Sequence, residues 1–172
     1  MTALTRAPQN TSPLQPTKFL LTFAKIPNTQ YFCQEVNIPG VDLGEVDFQT
    51  PFLDMYFPGT KLKYEPMAIN FVVDAEMQSW KDLYDWFTTI AAPEGFEGRN
   101  PDTIQSNKSN HHYTDAVLTV LSSLNNPIIR IEYKHVYPIS MGDVEFSTKL
   151  SADTIITCQA KFRYQSYRYL PA

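Results

Sequence analysis

The 172-residue chain has few of the features that mark a secreted, membrane-spanning or nucleic-acid-binding protein. Its two cysteines, Cys33 and Cys158, cannot make the disulfide framework of a small secreted domain. No apolar run approaches the ~20 residues of a membrane span, and the N-terminus lacks the basic and apolar segments of a signal peptide. A formal charge of −4 leaves no excess of positive charge to grip phosphates. These absences predict a protein of a reducing cytoplasm that is not bound to a membrane.

Catalytic and metal-binding patterns are missing as well. The sequence contains no glycine-rich phosphate loop and no nucleophile elbow. His111 and His112 are adjacent in a polar stretch, with no cysteine or carboxylate at metal-ligand spacing. His135 lies in an apolar strand pattern, where a structural role is expected. We therefore expect no enzyme activity, no metal site and no cofactor.

The chain is instead rich in apolar residues arranged with the period of β-strands. Hydrophobic residues make up 43% of it and aromatic residues 13%, enough for a packed core. Residues 1–17 carry three prolines and no periodicity, which predicts an extended N-terminal arm ahead of a single domain over 18–172. Alternating apolar residues predict two hairpins before one α-helix, at about 75–91, and two more after a polar loop at 93–114.

A short motif occurs twice and organises the rest of the chain. Residues 44–50 read GEVDFQT and, 98 residues later, residues 142–148 read GDVEFST. Turn residues recur at nearly the same offset, and the closing strands at 61–73 and 154–169 each switch their apolar face, as a one-residue bulge would cause. We predict a mainly β fold, an antiparallel β-sandwich or barrel of about eight strands in two four-stranded halves, with the helix covering an open side. A coincidence of hairpin spacing is the alternative to a true repeat.

Side-chain phase also predicts a register for the last hairpin. The residues of 143–148 and 156–164 that are expected to point inward must stay on one face when the strands pair. A short loop near 150–153 then fixes the partners. The predicted pairs are Phe146 with Cys158, Val144 with Ala160, Asp143 with Lys161, and Glu145 with Gln159.

Two aromatic features favour contacts between subunits. The apolar stripe of the helix is predicted to comprise Met77, Trp80, Leu83, Tyr84, Phe87, Ile90 and Ala91. Trp86 lies off this stripe, so its indole is expected to face outward; packing within the monomer is the alternative. The C-terminal stretch FRYQSYRYL includes Tyr167, Arg168 and Tyr169, residue types that are favoured at interfaces but are also common in ordinary strands.

Several stretches follow one another in a distinctive order. They are CQEVNIPG at 33–40, INFVVDAE at 69–76, WKDLYDWF at 80–87 and LTVLSSLNNPIIRIEYKHVYPISMGDVEFST at 118–148, with a tyrosine-rich strand closing the chain. In this order they resemble the tail tube family of contractile-tailed bacteriophages, over nearly the whole chain from Thr17. The resemblance extends to shorter relatives, the terminator at the head end of the tube and the initiators at the baseplate.

The resemblance implies a structural protein of the virion tail, assembled in the host cytoplasm. In that family six subunits close a ring, and stacked rings form the channel through which DNA leaves the capsid. The implied partners are further copies of the chain and sheath, baseplate or terminator proteins, while DNA passes without specific binding because an acidic wall releases no counterions. A ligand-binding β-barrel is the alternative class. The residues expected to face the lumen are Glu45, Asp47, Asp143, Glu145, Lys161 and Arg163.

Overall fold

The computed structural model describes residues 13–91, 112–149, 151 and 154–171. Most of the predicted arm at 1–17 and of the predicted loop at 93–114 lies outside these residues. Strand pairing is antiparallel throughout the described part of the chain, which confirms the predicted fold class. In chain order the elements are β1 (Phe19–Phe23), α1 (Pro27–Tyr31), β2 (Cys33–Val36), β3 (Val41–Gln49), β4 (Asp54–Tyr64), β5 (Met67–Val72), α2 (Gln78–Ala91), β6 (Thr114–Leu121), β7 (Pro127–Met141), β8 (Thr157–Arg163) and β9 (Ser166–Pro171).

The strands form one large sheet and one separate hairpin. The large sheet has the order β1-β6-β7-β8-β5-β2, with β9 also paired to β7. Strand β7 is 15 residues long, so it can pair with β9 through residues 129–134 and with β8 through residues 137–141. Side chains from both parts of this sheet and from α2 share one apolar core. Strands β3 and β4 form a two-stranded sheet of their own.

The strand predicted at 61–73 is broken in two. It ends as β4 and restarts as β5 in the other sheet, where the prediction had one strand with a bulge. Pro66 lies at the break and has no N–H to donate to a continuing ladder. The N–H of Glu65 is bonded to the carbonyl oxygen of Gly40 at 3.1 Å, so the chain turns away there.

The strand predicted at 154–169 is also interrupted. It becomes β8 and β9, and between them the N–H of Gln165 donates to the carbonyl oxygen of Lys134 at 2.9 Å. The described residues therefore contain nine strands instead of about eight, and a short helix, α1, where the sequence predicted only a turn.

The two halves of the chain share part of their strand pairing. Three cross-strand pairs of the first half recur 98 residues later in the second half, whereas the pair Val41–Tyr64 corresponds to Pro138–Phe162, displaced by one residue. A true repeat of the two halves therefore stays a prediction. The pairs of the first half are Cys33–Phe71, Asp42–Lys63 and Leu43–Leu62, and their counterparts are Ile131–Tyr169, Ser140–Lys161 and Met141–Ala160.

The predicted register of the last hairpin is wrong. Residues 142–149 form no strand, and only the N–H of Gly142, bonded to the carbonyl oxygen of Gln159 at 2.6 Å, continues the ladder beyond β7. The alternation of inward and outward side chains restricts which residues can pair, but it does not fix where the strands end. Strand β7 ends at Met141 and β8 begins at Thr157, so the connection is longer than predicted. The predicted pairs Phe146–Cys158, Val144–Ala160, Asp143–Lys161 and Glu145–Gln159 are accordingly replaced by Met141–Ala160 and Ser140–Lys161.

Helix α2 begins at Gln78, slightly later than the predicted start at about 75. The carboxylate of Asp74 accepts hydrogen bonds from the N–H of Gln78 at 3.0 Å and from the N–H and hydroxyl of Ser79 at 2.9 and 2.7 Å. These bonds, led by the one from the Ser79 hydroxyl, lower the pKa of Asp74 to about 2. Asp74 therefore caps the helix, as predicted, from further back along the chain.

The buried face of α2 runs through Ser79, Leu83 and Trp86, one turn apart. The prediction that Trp86 faces outward is wrong, since its side chain is 2% exposed. Ser79 can be buried because its hydroxyl donates to the carboxylate of Asp74. The buried face of the helix therefore includes Trp86, which the predicted stripe left out. Tyr84, predicted on the stripe, is 46% exposed and stacks on Trp80 with ring centres 5.2 Å apart.

Both cysteines are free thiols, Cys158 within the core and Cys33 half-buried at its edge. Burial raises the pKa of Cys33 to about 11, so this thiol stays protonated at neutral pH. Within the described residues, neither helix is long and apolar enough to cross a membrane.

Candidate functional site

The β3–β4 hairpin carries many exposed apolar side chains. All nine residues of β3 are exposed, because the hairpin is a sheet of two strands and none of the other described strands lies beside it. Ten large hydrophobic residues between positions 41 and 62 remain exposed. Apolar surface gathered in this way usually marks an interaction site.

One face of the hairpin is apolar. In its regular part Val46 lies opposite Phe57 and Phe48 opposite Met55, and opposed residues share a face. The rings of Phe48 and Phe57 meet edge to face with centres 6.4 Å apart. The exposed fractions of these four side chains lie between 42% and 58%. We call these four residues the apolar face.

The opposite face of the hairpin is acidic. Glu45, Asp47 and Gln49 alternate with the apolar residues of β3, and on β4 they oppose Pro58, Tyr56 and Asp54. The carboxylates of Glu45 and Asp47, both predicted to face a lumen, therefore project from one side of the ribbon. Neither belongs to any ion pair found in the described part of the chain. We call Glu45, Asp47 and Asp54 the acidic face.

The tip of the hairpin is also apolar and is held by a tight turn. The hydroxyl of Thr50 accepts a hydrogen bond from the N–H of Leu53 at 3.1 Å, and the N–H of Thr50 donates to the Leu53 carbonyl oxygen at 3.2 Å. Phe52 is 97% exposed. The side chain of Phe52 therefore adds to the exposed apolar surface that a partner could cover.

The base of the hairpin is anchored in a cluster of tyrosines. The ring of Tyr64, the last residue of β4, lies 5.8 Å from that of Tyr164 and 5.3 Å from that of Tyr167. Tyr133 lies beneath them, and its burial raises the pKa of its hydroxyl. The hydroxyl of Tyr164 donates to the carbonyl oxygen of Glu65 at 2.9 Å, so the residue after β4 is bonded to the residue after β8. These contacts hold the hairpin base in a fixed direction.

The other residues predicted to face a lumen lie elsewhere. Asp143 and Glu145 are exposed in the segment that forms no strand. Lys161 and Arg163 are exposed on β8, where they alternate with buried core residues. The structure thus brings Glu45 and Asp47 together, and separately Lys161 and Arg163, but it does not pair the acidic set with the basic set.

The residues predicted at a subunit interface are placed differently from one another. The indole N–H of Trp86 donates to the carbonyl oxygen of His112 at 3.2 Å inside the fold, so this side chain offers no surface to a partner. Tyr167 is half-buried in the tyrosine cluster. Arg168 is bonded to Glu132 on β7 at 2.9 and 3.0 Å. Tyr169 is 74% exposed and remains a candidate interface residue.

Sequence reasoning missed the apolar face. The signal was present in VDFQT and DMYF, where apolar residues alternate with polar ones on both strands. Such alternation normally predicts a buried face. Only the structure shows that this ribbon lies outside the large sheet and that the rest of the described residues leave its apolar face exposed.

An open groove beside the start of β6 offers little chemistry. It is lined by Lys25, Tyr113, Asp115, Lys134 and His135, and its single carboxylate accepts bonds from the Lys134 ammonium at 2.6 Å and the His135 N–H at 3.2 Å. In the described residues, no three His, Cys, Asp or Glu side chains are grouped so as to hold a metal ion. A wide, charged groove also fits poorly with a barrel that binds an apolar ligand.

Comparison with known proteins decides the family. The family model for phage tail tube proteins matches residues 10–170. The chain belongs to the phage tail tube protein family. It is similar to the tail tube terminator protein of Enterobacteria phage T4, with 24% identity over 159 residues that cover 88% of this chain and 86% of that protein. Because this family consists of structural tail proteins, the prediction that the chain is not an enzyme is confirmed.

Solved structures show the same fold at low identity. A chain of the anti-feeding prophage baseplate has a TM-score of 0.64 and 13% identity, covering 94% of this tube-family chain and 98% of that one. A chain of the anti-feeding prophage tube terminating cap has a TM-score of 0.61 and 10% identity, with full coverage of both. A chain of the sheath/tube terminator of an extracellular contractile injection system has a TM-score of 0.61 and 11% identity, covering 92% and 97%.

Proposed function

We propose that this tube-family protein is a tail tube terminator, whose copies close into a ring at the head end of the tube. The similarity to the T4 terminator carries the proposal, because it extends over 88% of the chain. The fold neighbours include a tube terminating cap and a sheath/tube terminator. Its place is then the virion tail, assembled in the host cytoplasm, with tube and sheath proteins as further partners.

A second copy of the chain is the occupant that we infer for the apolar face. A lone chain leaves Val46, Phe48, Met55 and Phe57 about half exposed, and a neighbouring copy in a ring would cover them continuously. Six copies are in keeping with a fold neighbour taken from a six-fold symmetrised baseplate. The chain from residue 18 onward would act as one domain, with the arm ahead of it.

The acidic face is then free to line the channel. With the apolar face turned towards a neighbour, the carboxylates of Glu45 and Asp47 project from the other side of the same ribbon. A wall of carboxylates attracts no phosphates and releases no counterions, so DNA can pass without binding. Burial of the apolar face and exclusion of DNA from the wall are therefore both satisfied when the apolar face points to a neighbouring copy and the acidic face points to the channel.

A tube-initiating ring is the second candidate. The similarity in fold to a chain of the anti-feeding prophage baseplate favours it, with a TM-score of 0.64. A main tube subunit is the third candidate. The terminator, the initiator and the main tube subunit would all form a ring of this kind. They differ in whether the ring ends a tube, starts one or stacks repeatedly to build it.

Electron microscopy of the purified protein, alone and mixed with the tube subunit of the same phage, tests these roles. A terminator forms separate rings, and adding them stops tube growth and yields shorter tubes. Long tubes from this protein alone would show a main tube subunit, and rings that start tubes in the mixture would show an initiator. Either of those results would overturn the terminator role while leaving the ring in place.

A further inference from the structure

The large sheet has one polar face that the described elements leave open. Along β8, Cys158, Ala160 and Phe162 are buried in the core, and the four residues that alternate with them are exposed. The ring of Phe162 lies 6.0 Å from that of Trp86, so helix α2 covers the buried side of β8 and leaves the other side open. Cross-strand partners on β5 and β7 share this open side. We call its polar members the β8 face: Asn70, Ser140, Thr157, Gln159, Lys161 and Arg163.

The β8 face carries positive charge with few carboxylates beside it. Lys161 lies opposite Ser140 on β7, and Arg163 lies opposite Tyr137. Neither cation belongs to an ion pair found in the described part of the chain. Among the residues of β2, β5, β8 and positions 137–141 of β7, Glu35 is the one carboxylate, and β5 separates it from β8. The surface therefore suits an anionic partner.

The residue types and their spacing indicate which kind of anion would fit. Every member of the β8 face can donate a hydrogen bond, and these are the side chains with which proteins contact the phosphate and sugar oxygens of DNA. Residues two apart on a strand repeat at about 6.6 Å, and successive phosphates of one DNA strand advance about 3.4 Å along the duplex. Lys161 and Arg163 can thus reach alternate phosphates of one strand. An open face of this kind fits an extended polyanion better than a small molecule.

We propose that the β8 face contacts the phosphate backbone of double-stranded DNA inside the ring, without reading its sequence. The inference rests on the proposed function, since ring closure is what would set copies of this face around a channel that holds DNA. The acidic face of the hairpin repels phosphates and the β8 face attracts them, so the contact is confined to one band of the channel wall. Asp143 and Glu145 border the β8 face and limit how tightly DNA is held, which allows it to leave.

Binding of a labelled linear duplex to preformed rings, followed by fluorescence anisotropy over a salt series, tests the contact. Each neutralised phosphate contributes about −0.9 to the slope of log K against log salt, so the two cations of each contacting copy contribute about −1.8. We expect Lys161→Gln combined with Arg163→Gln to remove this part of the slope and to weaken binding at low salt roughly tenfold or more. The control, Lys81→Gln combined with Arg130→Gln, removes the same charge from exposed positions elsewhere and should bind as the wild type does.

Closed circular DNA distinguishes the channel from the outside of the ring. A circle has no end that can enter a preformed ring, so it should not displace the linear duplex. Equal competition by circular and linear DNA would place the contact outside the channel and overturn the proposal. Polyglutamate tests an acidic protein segment as the occupant. If it displaced the label more readily than unlabelled linear duplex does, the β8 face would be assigned to a protein partner instead.

The ring itself is the internal control of these measurements. Both double variants should form rings of the wild-type mass and melt at the wild-type temperature, because all four substituted side chains are exposed. Rings that bind DNA equally well in the β8 variant and in the control, or with an affinity independent of salt, would overturn the proposal and leave the ring intact. Wild-type protein that never forms rings would overturn the proposed function and this inference together.

Discussion

Replacing Phe48 with serine tests the role of the apolar face with a matched control on the same ribbon. Phe48 is 57% exposed in the single chain and lies on the apolar face; Tyr56 is 63% exposed and lies on the acidic face. Both are large aromatic residues of the β3–β4 hairpin. We expect Phe48→Ser to weaken ring assembly strongly and Tyr56→Ser to change it little.

The magnitude follows from the area that a neighbour would cover. An aromatic side chain buries about 150–250 Å² when fully covered, so about half of this, roughly 100 Å², remains to be covered on Phe48. At about 25 cal/mol per Å² its burial contributes about 2.5 kcal/mol to each contact. That free energy corresponds to about a 60-fold change in the association constant. The free energy of unfolding of the single chain should fall by about 1 kcal/mol or less, because one cross-strand contact is lost.

The assay is the concentration at which rings form, read from sedimentation velocity, together with urea unfolding of the single chain. Equal losses of assembly in the two variants would show that both faces of the hairpin are covered. Wild-type assembly of Phe48→Ser would refute the apolar face as the contact between copies. A large loss of stability in the single chain would show that Phe48 is already part of the core.

Three further substitutions, one of them with a matched control, test the fold that carries this surface. Trp86→Ala should lower the free energy of unfolding by about 3–5 kcal/mol in urea, because it empties a core site; an unchanged midpoint would contradict the burial of the indole. Asp74→Ala should lower the melting temperature above pH 4. Because the pKa of Asp74 falls from 3.8 to about 2 on folding, the difference should shrink as the pH drops from 4 towards 2, and a difference independent of pH would contradict the cap. Gly59→Ala should open the hairpin, since a Cβ there would collide with the carbonyl oxygen of Gly44, whereas Gly44→Ala, in open space, should leave amide protection of β3 unchanged.

The strand class could be predicted because it depends on local pattern. The period of two identifies strands wherever one face is buried, but the match between residues 44–50 and 142–148 did not give the pairing, since only the first stretch lies in a strand. The break at Pro66 was visible only as a change of apolar face, which a bulge and a change of sheet produce equally. Which sheet the chain enters next depends on contacts distant in sequence.

The exposed apolar face and the burial of Trp86 were harder to predict, because both depend on contacts between residues distant in sequence. Trp86 and Ser79 lie on the same buried line of α2, and the serine can be buried there because its hydroxyl donates to the carboxylate of Asp74. The apolar face has the same alternation as a core strand, so the sequence alone does not distinguish it from a face that the described part of the chain would bury. Glu45 and Asp47 were placed on one face correctly because they are two residues apart on a single strand.

The mass of the assembled protein in solution, measured by native mass spectrometry over a range of concentrations, tests ring closure most directly. We expect a single large species of six copies, the number proposed for the ring. It should dissociate to the monomer at much higher concentration in Phe48→Ser than in Tyr56→Ser. A protein that remains a monomer at every concentration, or stops at a dimer, would contradict a ring closed through the β3–β4 hairpin.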